Sequence, residues 1–126
     1  MEVYMKYFCV LLITLSFNSY AQSTEETRDR LSISLLAKAT HAIARLDLSC
    51  KQASECSIIP MGSKPCGGPT SYVVTSVNHR YLSDIEELAS KVSEKEKDFN
   101  ERYGRISNCS ILYPPEVKCL ENKCSN

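Results

Sequence analysis

Between Ser23 and Leu46 apolar residues recur at three- and four-residue intervals: Leu31, Leu35, Leu36, Ala39, Ala42, Ile43 and Leu46. On a 3.6-residue wheel these make one face, with Arg28, Lys38, His41 and Arg45 on the other. The spacing predicts an amphipathic helix over about 24–47, opened by a capping box of Ser23 with Glu26. After Cys56 the texture changes to β-branched and aromatic. Cys56-Ser-Ile-Ile-Pro-Met61 and Ser71-Tyr-Val-Val-Thr-Ser-Val77, bounded by turn residues, read as two strands of a hairpin joined through Gly62 to Pro69. A second helix is predicted over 84–103. Ser83 and Glu86 form its capping box, Gly104 is its C′ residue, and Ile85, Leu88, Ala89, Val92, Phe99 and Tyr103 form a buried stripe that Glu96 interrupts. Its outer face carries the i,i+4 pairs Glu87/Lys91, Lys97/Glu101 and Asp98/Arg102 and reads as solvated. Ile106 to Tyr113 reads as a third strand. After Pro114-Pro115, Glu116 to Cys124 supplies a short fourth strand turning at Glu121-Asn122. The expected fold is α+β, in the order α-β-β-α-β-β: a small antiparallel sheet of about four strands packed by two helices.

The first residues read differently. Tyr7 to Phe17 is an apolar run too short to span a hydrocarbon core, and Ser19 and Ala21 occupy the positions a signal peptidase favours. Residues 1–21 are therefore expected to be a secretory signal peptide that leaves with Cys9, and 22–126 a single domain with no membrane span. Glu2 offsets Lys6, whereas a start at Met5 gives the usual positive n-region, so either Met1 or Met5 serves as initiator.

The chain has 126 residues, 15 Lys+Arg against 15 Asp+Glu and no net formal charge. That balance offers no electrostatic footprint for a nucleic-acid backbone or an anionic membrane surface. Removal of the leader takes one charge of each sign and one cysteine. It leaves Cys50, Cys56, Cys66, Cys109, Cys119 and Cys124, an even six in an oxidising compartment. Three disulfides follow, with fifteen connectivities open. A thiolate metal site is the weaker reading, because Cys50-x5-Cys56 and Cys119-x4-Cys124 are wider than or at the edge of usual zinc spacing and the chain has two histidines.

Chemistry concentrates at one place. Gly62, Gly67 and Gly68 with Pro60, Pro65 and Pro69 all fall within ten residues around Cys66. Adjacent glycines permit positive φ, prolines fix φ, and the cysteine ties the segment to the body, so the loop is expected to be rigid and suited to recognition. Lys64, Pro65, Gly67, Gly68, Pro69 and Tyr72 are the candidate contact residues; the competing reading is that the segment only turns a hairpin. As a protease-inhibitor loop it is poor, because Pro65 follows Lys64 and removes the N–H that substrate-like binding uses. No catalytic residue is assigned. The thiols are expected to be oxidised, no Gly-x-Ser-x-Gly elbow occurs, and His41 and His79 read as solvated. No cofactor is expected. Asn108-Cys109-Ser110 matches a glycosylation acceptor only formally, since its middle cysteine is expected to be bonded.

Over residues 50–126 the chain resembles small exported, cysteine-rich bacterial proteins of unknown function. The resemblance is carried by Cys50/Cys56, the Cys66-Gly67-Gly68-Pro69 tetrapeptide, the helix at 84–103, Asn108-Cys109 and the tail from Pro115 to Cys124. It implies export, disulfides and a shared fold, and adds no catalytic residue. The combined expectation is a secreted or periplasmic, non-enzymatic binding or inhibitory module whose partner is another extracytoplasmic protein. An envelope structural or stress-resistance protein is the first alternative and a hydrolase the second. The exported protein is expected to begin at Gln22 and to weigh about 6 Da less than its fully reduced form, two hydrogens per disulfide; intact mass before and after reduction checks both.

Overall fold

Residues 24–126 are described by the computed structural model. The expected leader at 1–21, with Cys9, and the Ser23 cap lie outside the described residues. The chain divides into two compact units between Leu31 and Ser32. The described part of the first, 24–31, is helical, and Arg30 pairs with Glu26 at 3.1 Å one turn away. Everything below concerns the second, Ser32–Asn126.

In this unit helix α1 covers 32–44. A short 3-10 turn, Ala53–Glu55, leads into β1 (Cys56–Met61), β2 (Ser71–Ser76) and helix α2 (Leu82–Arg102). Strands β3 (Lys118–Leu120) and β4 (Lys123–Ser125) close the chain. Each hairpin is its own two-stranded antiparallel sheet, with Ile59 opposite Val73 in the first and Cys119 opposite Cys124 in the second. The α+β class therefore holds, with two helices, while the expected four-stranded sheet is replaced by two hairpins and the order gains the 3-10 turn. No helix among the described residues is long and apolar enough to cross a membrane.

The core lies where the β1–β2 hairpin meets the helices: Ile33 and Ala44 of α1, Ile59 and Met61 of β1, Val73 of β2, and Ile85, Ala89 and Val92 of α2. Leu36, Ala37, Ile43, Leu82 and Phe99 pack against its margin. The buried face of α1 is turned from the expected stripe: Ile33, Thr40 and Ala44 are buried, whereas Leu35 and Leu46 are more than half exposed. Small residues explain the rotation. Ala37, Thr40 and Ala44 let the helix backbone come close enough for the fully buried Thr75 hydroxyl to donate to Ala44 O at 3.0 Å, a contact that leucines on that face would prevent. The same hydroxyl lies 3.2 Å from Asp47 O, and Ser76 N also donates to Asp47 O. With these carbonyls drawn to β2, α1 stops at 44 and not 47. Asp47 then forms an Asx turn, its carboxylate accepting from the Ser49 hydroxyl and amide, which hold its pKa below the ordinary value.

Helix α2 begins two residues earlier than expected, at Leu82, and Ser83 does not cap it. Its N-cap residue is Tyr81, whose amide is held by His79, a side chain that is buried and not solvated. Its Nδ1 accepts from Tyr81 N at 3.0 Å, so Nε2 carries the hydrogen and donates to Ile43 O at 3.0 Å. One ring thus joins the start of α2 to the end of α1. At the other end Gly104, at φ 57°, ends α2 as expected, with Arg105 N donating to Asn100 O in a Schellman closure.

The third strand expected at Ile106 to Tyr113 is an irregular strap. Cys109 sits at φ 55°, and the side chains of Ser107 and Asn108 accept from the amides of Cys109 and Ser110, so local side-chain bonds displace ladder pairing. The turn at Glu121-Asn122 is as expected, both residues at positive φ as a two-residue hairpin requires.

The connectivity is Cys50–Cys119, Cys56–Cys124 and Cys66–Cys109. The first two fasten the β3–β4 hairpin to the entry of β1, and Cys124 N to Leu48 O at 2.7 Å and Cys50 N to Asn122 O at 3.1 Å add two main-chain bonds. Closing loops of 69 and 68 residues, each link restricts the unfolded chain by about 4 kcal/mol in the chain-entropy account. Replacing His79 by leucine fills its volume but takes the acceptor from Tyr81 N and leaves Ile43 O with Leu46 N as its one donor; a loss of about 1–2 kcal/mol in urea unfolding is expected.

Candidate functional site

The glycine- and proline-rich loop between β1 and β2 is built as a closed turn on a clamp. Thr70 N donates to Met61 O at 3.1 Å, continuing the hairpin ladder to the base of the loop. At its tip Gly67 N donates to Lys64 O at 2.8 Å and Lys64 N donates to Gly68 O at 2.9 Å. Pro65 stands at the second turn position, where its fixed φ is favoured, and Gly67 and Gly68 follow at φ 95° and 81°. Pro65, Cys66, Gly67 and Gly68 are exposed and Pro69 is half-buried.

Three α2 side chains, Ser93, Glu96 and Asn100, hold the loop from one helix face. Gly62 N donates to Ser93 Oγ at 2.9 Å, and Asn100 Nδ2 donates to Ser63 O at 2.7 Å. Glu96 Oε2 accepts from Ser63 N at 2.7 Å and from Thr70 Oγ1 at 2.9 Å, so one carboxylate oxygen bridges the two legs of the loop. Gly62, at φ 88°, lies against this oxygen, and a Cβ there would collide with both Thr70 Oγ1 and Glu96 Oε2. The interruption of the α2 stripe by Glu96 is where this clamp shows in the sequence. Ser93 and Asn100, ordinary polar residues in a helix, carry no such mark.

The strap at 105–113 is fastened alongside the loop. Cys66–Cys109 joins them covalently, Lys64 Nζ donates to Ser110 O at 2.7 Å, and Tyr72 OH donates to Leu112 O at 3.1 Å. Lys64 and Tyr72 are therefore engaged with main-chain carbonyls, and their polar ends face the strap. The apolar groups presented to solvent belong to the strap itself: Ile106 is 94% exposed, and Ile111 and Tyr113 are each 74% exposed. Composition marks the loop around Cys66 but not these three residues, which come beside it through the Cys66–Cys109 link and the Lys64 and Tyr72 bonds, all long-range in the chain.

The sulfurs of Cys50, Cys56 and Cys124 lie within 4.8 Å of one another, a grouping that as thiolates would suit a metal. All three are committed to the two disulfides of the C-terminal hairpin. The other histidine, His41, is half-buried with Arg45 one turn away, and its pKa is lowered by burial and then by that guanidinium.

Comparison of the chain with protein-family models, with curated proteins and with solved structures finds no match. Glu96→Ala removes the acceptor shared by Ser63 and Thr70, whereas Glu96→Gln keeps an oxygen in place. The alanine variant is expected to lose about 1–3 kcal/mol and to exchange the Ser63 amide at least tenfold faster, with the glutamine variant close to wild type; hydrogen-exchange NMR checks this.

Proposed function

We propose that the chain is a secreted or periplasmic binding or inhibitory module that engages another extracytoplasmic protein through the loop tip, Pro65 to Pro69, together with the strap from Ile106 to Tyr113. The observation that carries this reading is the exposure of Ile106, Ile111 and Tyr113 on a segment tied by a disulfide and two side-chain bonds to a clamped loop. Exposed apolar and aromatic groups are costly on a solvated surface unless something covers them, and contact surfaces concentrate such groups. Fixing them beforehand reduces the conformational entropy lost when a partner closes over them. The three disulfides fit the extracytoplasmic setting.

The geometry also narrows how an inhibitory mode would operate. With Nζ on Ser110 O, Lys64 is not held out as a substrate-like side chain, so contact falls to the backbone of Gly67 and Gly68 and to the strap. An added Cβ at either glycine meets nothing within 4 Å, so substitution there alters the tip without crowding the fold.

Captured from extracytoplasmic extract on the immobilised protein, a specific partner is expected to be lost with Ile111→Ser/Tyr113→Ser and with Gly67→Ala/Gly68→Ala, and retained with Glu87→Lys/Lys91→Glu on the exposed face of α2. Capture of the same protein by all three folded variants would remove the loop and strap from the reading.

A further inference from the structure

Four sulfurs lie together at the C-terminal hairpin. Those of Cys50, Cys56 and Cys124 are within 4.8 Å of one another, and Cys119 is bonded to Cys50. They come from four segments: the stretch after α1, the start of β1, β3 and β4. The two bridges are not all that holds them there. Ser49 pairs with Lys123 in an isolated β-bridge, Cys50 N donates to Asn122 O, and Cys124 N donates to Leu48 O. Cys119 stands opposite Cys124 in the β3–β4 ladder, and Cys56 opposite Ser76 in the β1–β2 ladder. Main-chain pairing thus positions all four cysteines in addition to the covalent links.

The plainer account is two structural disulfides set side by side, and in an oxidising compartment they are that. The same donor set has a second use once the sulfurs are reduced. A tetrahedral zinc–thiolate site needs four sulfurs about 2.3 Å from the metal, and so about 3.8 Å from each other. Bonded sulfurs part to reach that spacing, while those of Cys50, Cys56 and Cys124 that are not bonded to each other close by no more than about 1 Å, a movement side-chain rotation supplies. Cys50 and Cys124 are buried and Cys56 and Cys119 half-buried, which gives the closed setting of a structural site. An open depression lined by Ser49, Lys51, Glu55 and Asn78 reaches Cys50 from solvent and offers the ion a way in.

We propose that the chain, with its cysteines reduced, binds one zinc ion or another thiophilic dication through Cys50, Cys56, Cys119 and Cys124. The C-terminal hairpin then has two alternative fastenings to the entry of β1, a metal in the reduced chain and two disulfides in the oxidised one. This rests on the fold and is independent of the binding role of the loop and strap. Interconversion is a thiol–disulfide exchange. Two small-molecule disulfides take four electrons from the four zinc-bound thiolates; Cys50–Cys119 and Cys56–Cys124 form, four small thiolates leave, and the zinc departs unchanged as Zn2+. In the other direction two small dithiols return the four electrons, and the metal displaces the protons of the freed thiols. Affinity therefore falls as pH falls.

The test uses the full mature chain carrying Cys66→Ser/Cys109→Ser, which leaves these four cysteines, reduced with a phosphine in the absence of oxygen and titrated with Co2+ and then Zn2+. One Co2+ per chain is expected, with the intense visible absorption of tetrahedral thiolate cobalt, displaced by one Zn2+ that binds with a Kd below about 100 nM at pH 7. Adding Cys50→Ser or Cys119→Ser, or unfolding the chain in concentrated urea, should weaken zinc binding by about tenfold or more. Amide NMR of the zinc-loaded chain should show native dispersion with slowly exchanging Cys50 and Cys124 amides, and oxidised glutathione should release one zinc for every two bridges formed. The proposal is overturned if no tetrahedral cobalt spectrum develops, if more than one ion binds per chain, if Cys50→Ser or urea leaves the affinity unchanged, or if the zinc-loaded chain lacks native dispersion.

Discussion

The Thr75 hydroxyl, with no exposed surface, governs how the first helix meets the hairpin. It sits between Ala44 O and Asp47 O, so α1 must approach β2 to within a main-chain contact and must unwind before residue 47. From that approach follow the burial of Thr40 and Ala44, the rotation that leaves Leu35 and Leu46 in solvent, and the position from which His79 can reach Ile43 O. Hydrophobic area alone would have turned the leucines inward. A buried donor without an acceptor costs on the order of the burial of a side chain, and here the polar requirement decides the orientation.

The same contest explains what the sequence made legible. Elements with an unambiguous local code were readable: the β1–β2 hairpin, the body of α2, Gly104 as its stop and the turn at Glu121-Asn122. The face of α1 was misread because periodicity ranks residues by hydrophobicity and cannot see that alanine and threonine are needed where a backbone must come close. His79 was misread as solvated because a histidine between a strand and a helix carries no local mark of having partners on both sides. The strap was misread as a strand because Ile106, Ile111 and Leu112 have strand-forming character, while the bonds made by Ser107, Asn108, Lys64 and Tyr72 depend on tertiary placement.

Of the candidate site, the rigid loop could be inferred from composition, and its main features, positive φ at Gly67 and Gly68 and covalent attachment at Cys66, are as composition suggests. Its anchoring could not. Glu96, spaced as a core residue of α2, serves as a fixed acceptor, and Gly62 is small because that carboxylate needs the space a methyl group would fill. A polar residue in an apolar stripe is thus a long-range contact written into a local pattern.

The crosslinks divide into two kinds by location. Cys50 and Cys124 are buried and anchor the two links of the C-terminal hairpin, whereas Cys66 of the loop and Cys109 of the strap are both exposed residues. A reductant in solution meets the latter first, since exchange needs access to the sulfur. A mild reductant therefore reaches the link between loop and strap before the two links of the C-terminal hairpin, and its opening leaves the Lys64 to Ser110 and Tyr72 to Leu112 bonds between them. The order of reduction thus follows depth: the outer link is the first to open, and the pair that fastens the C-terminal hairpin is shielded by its buried ends.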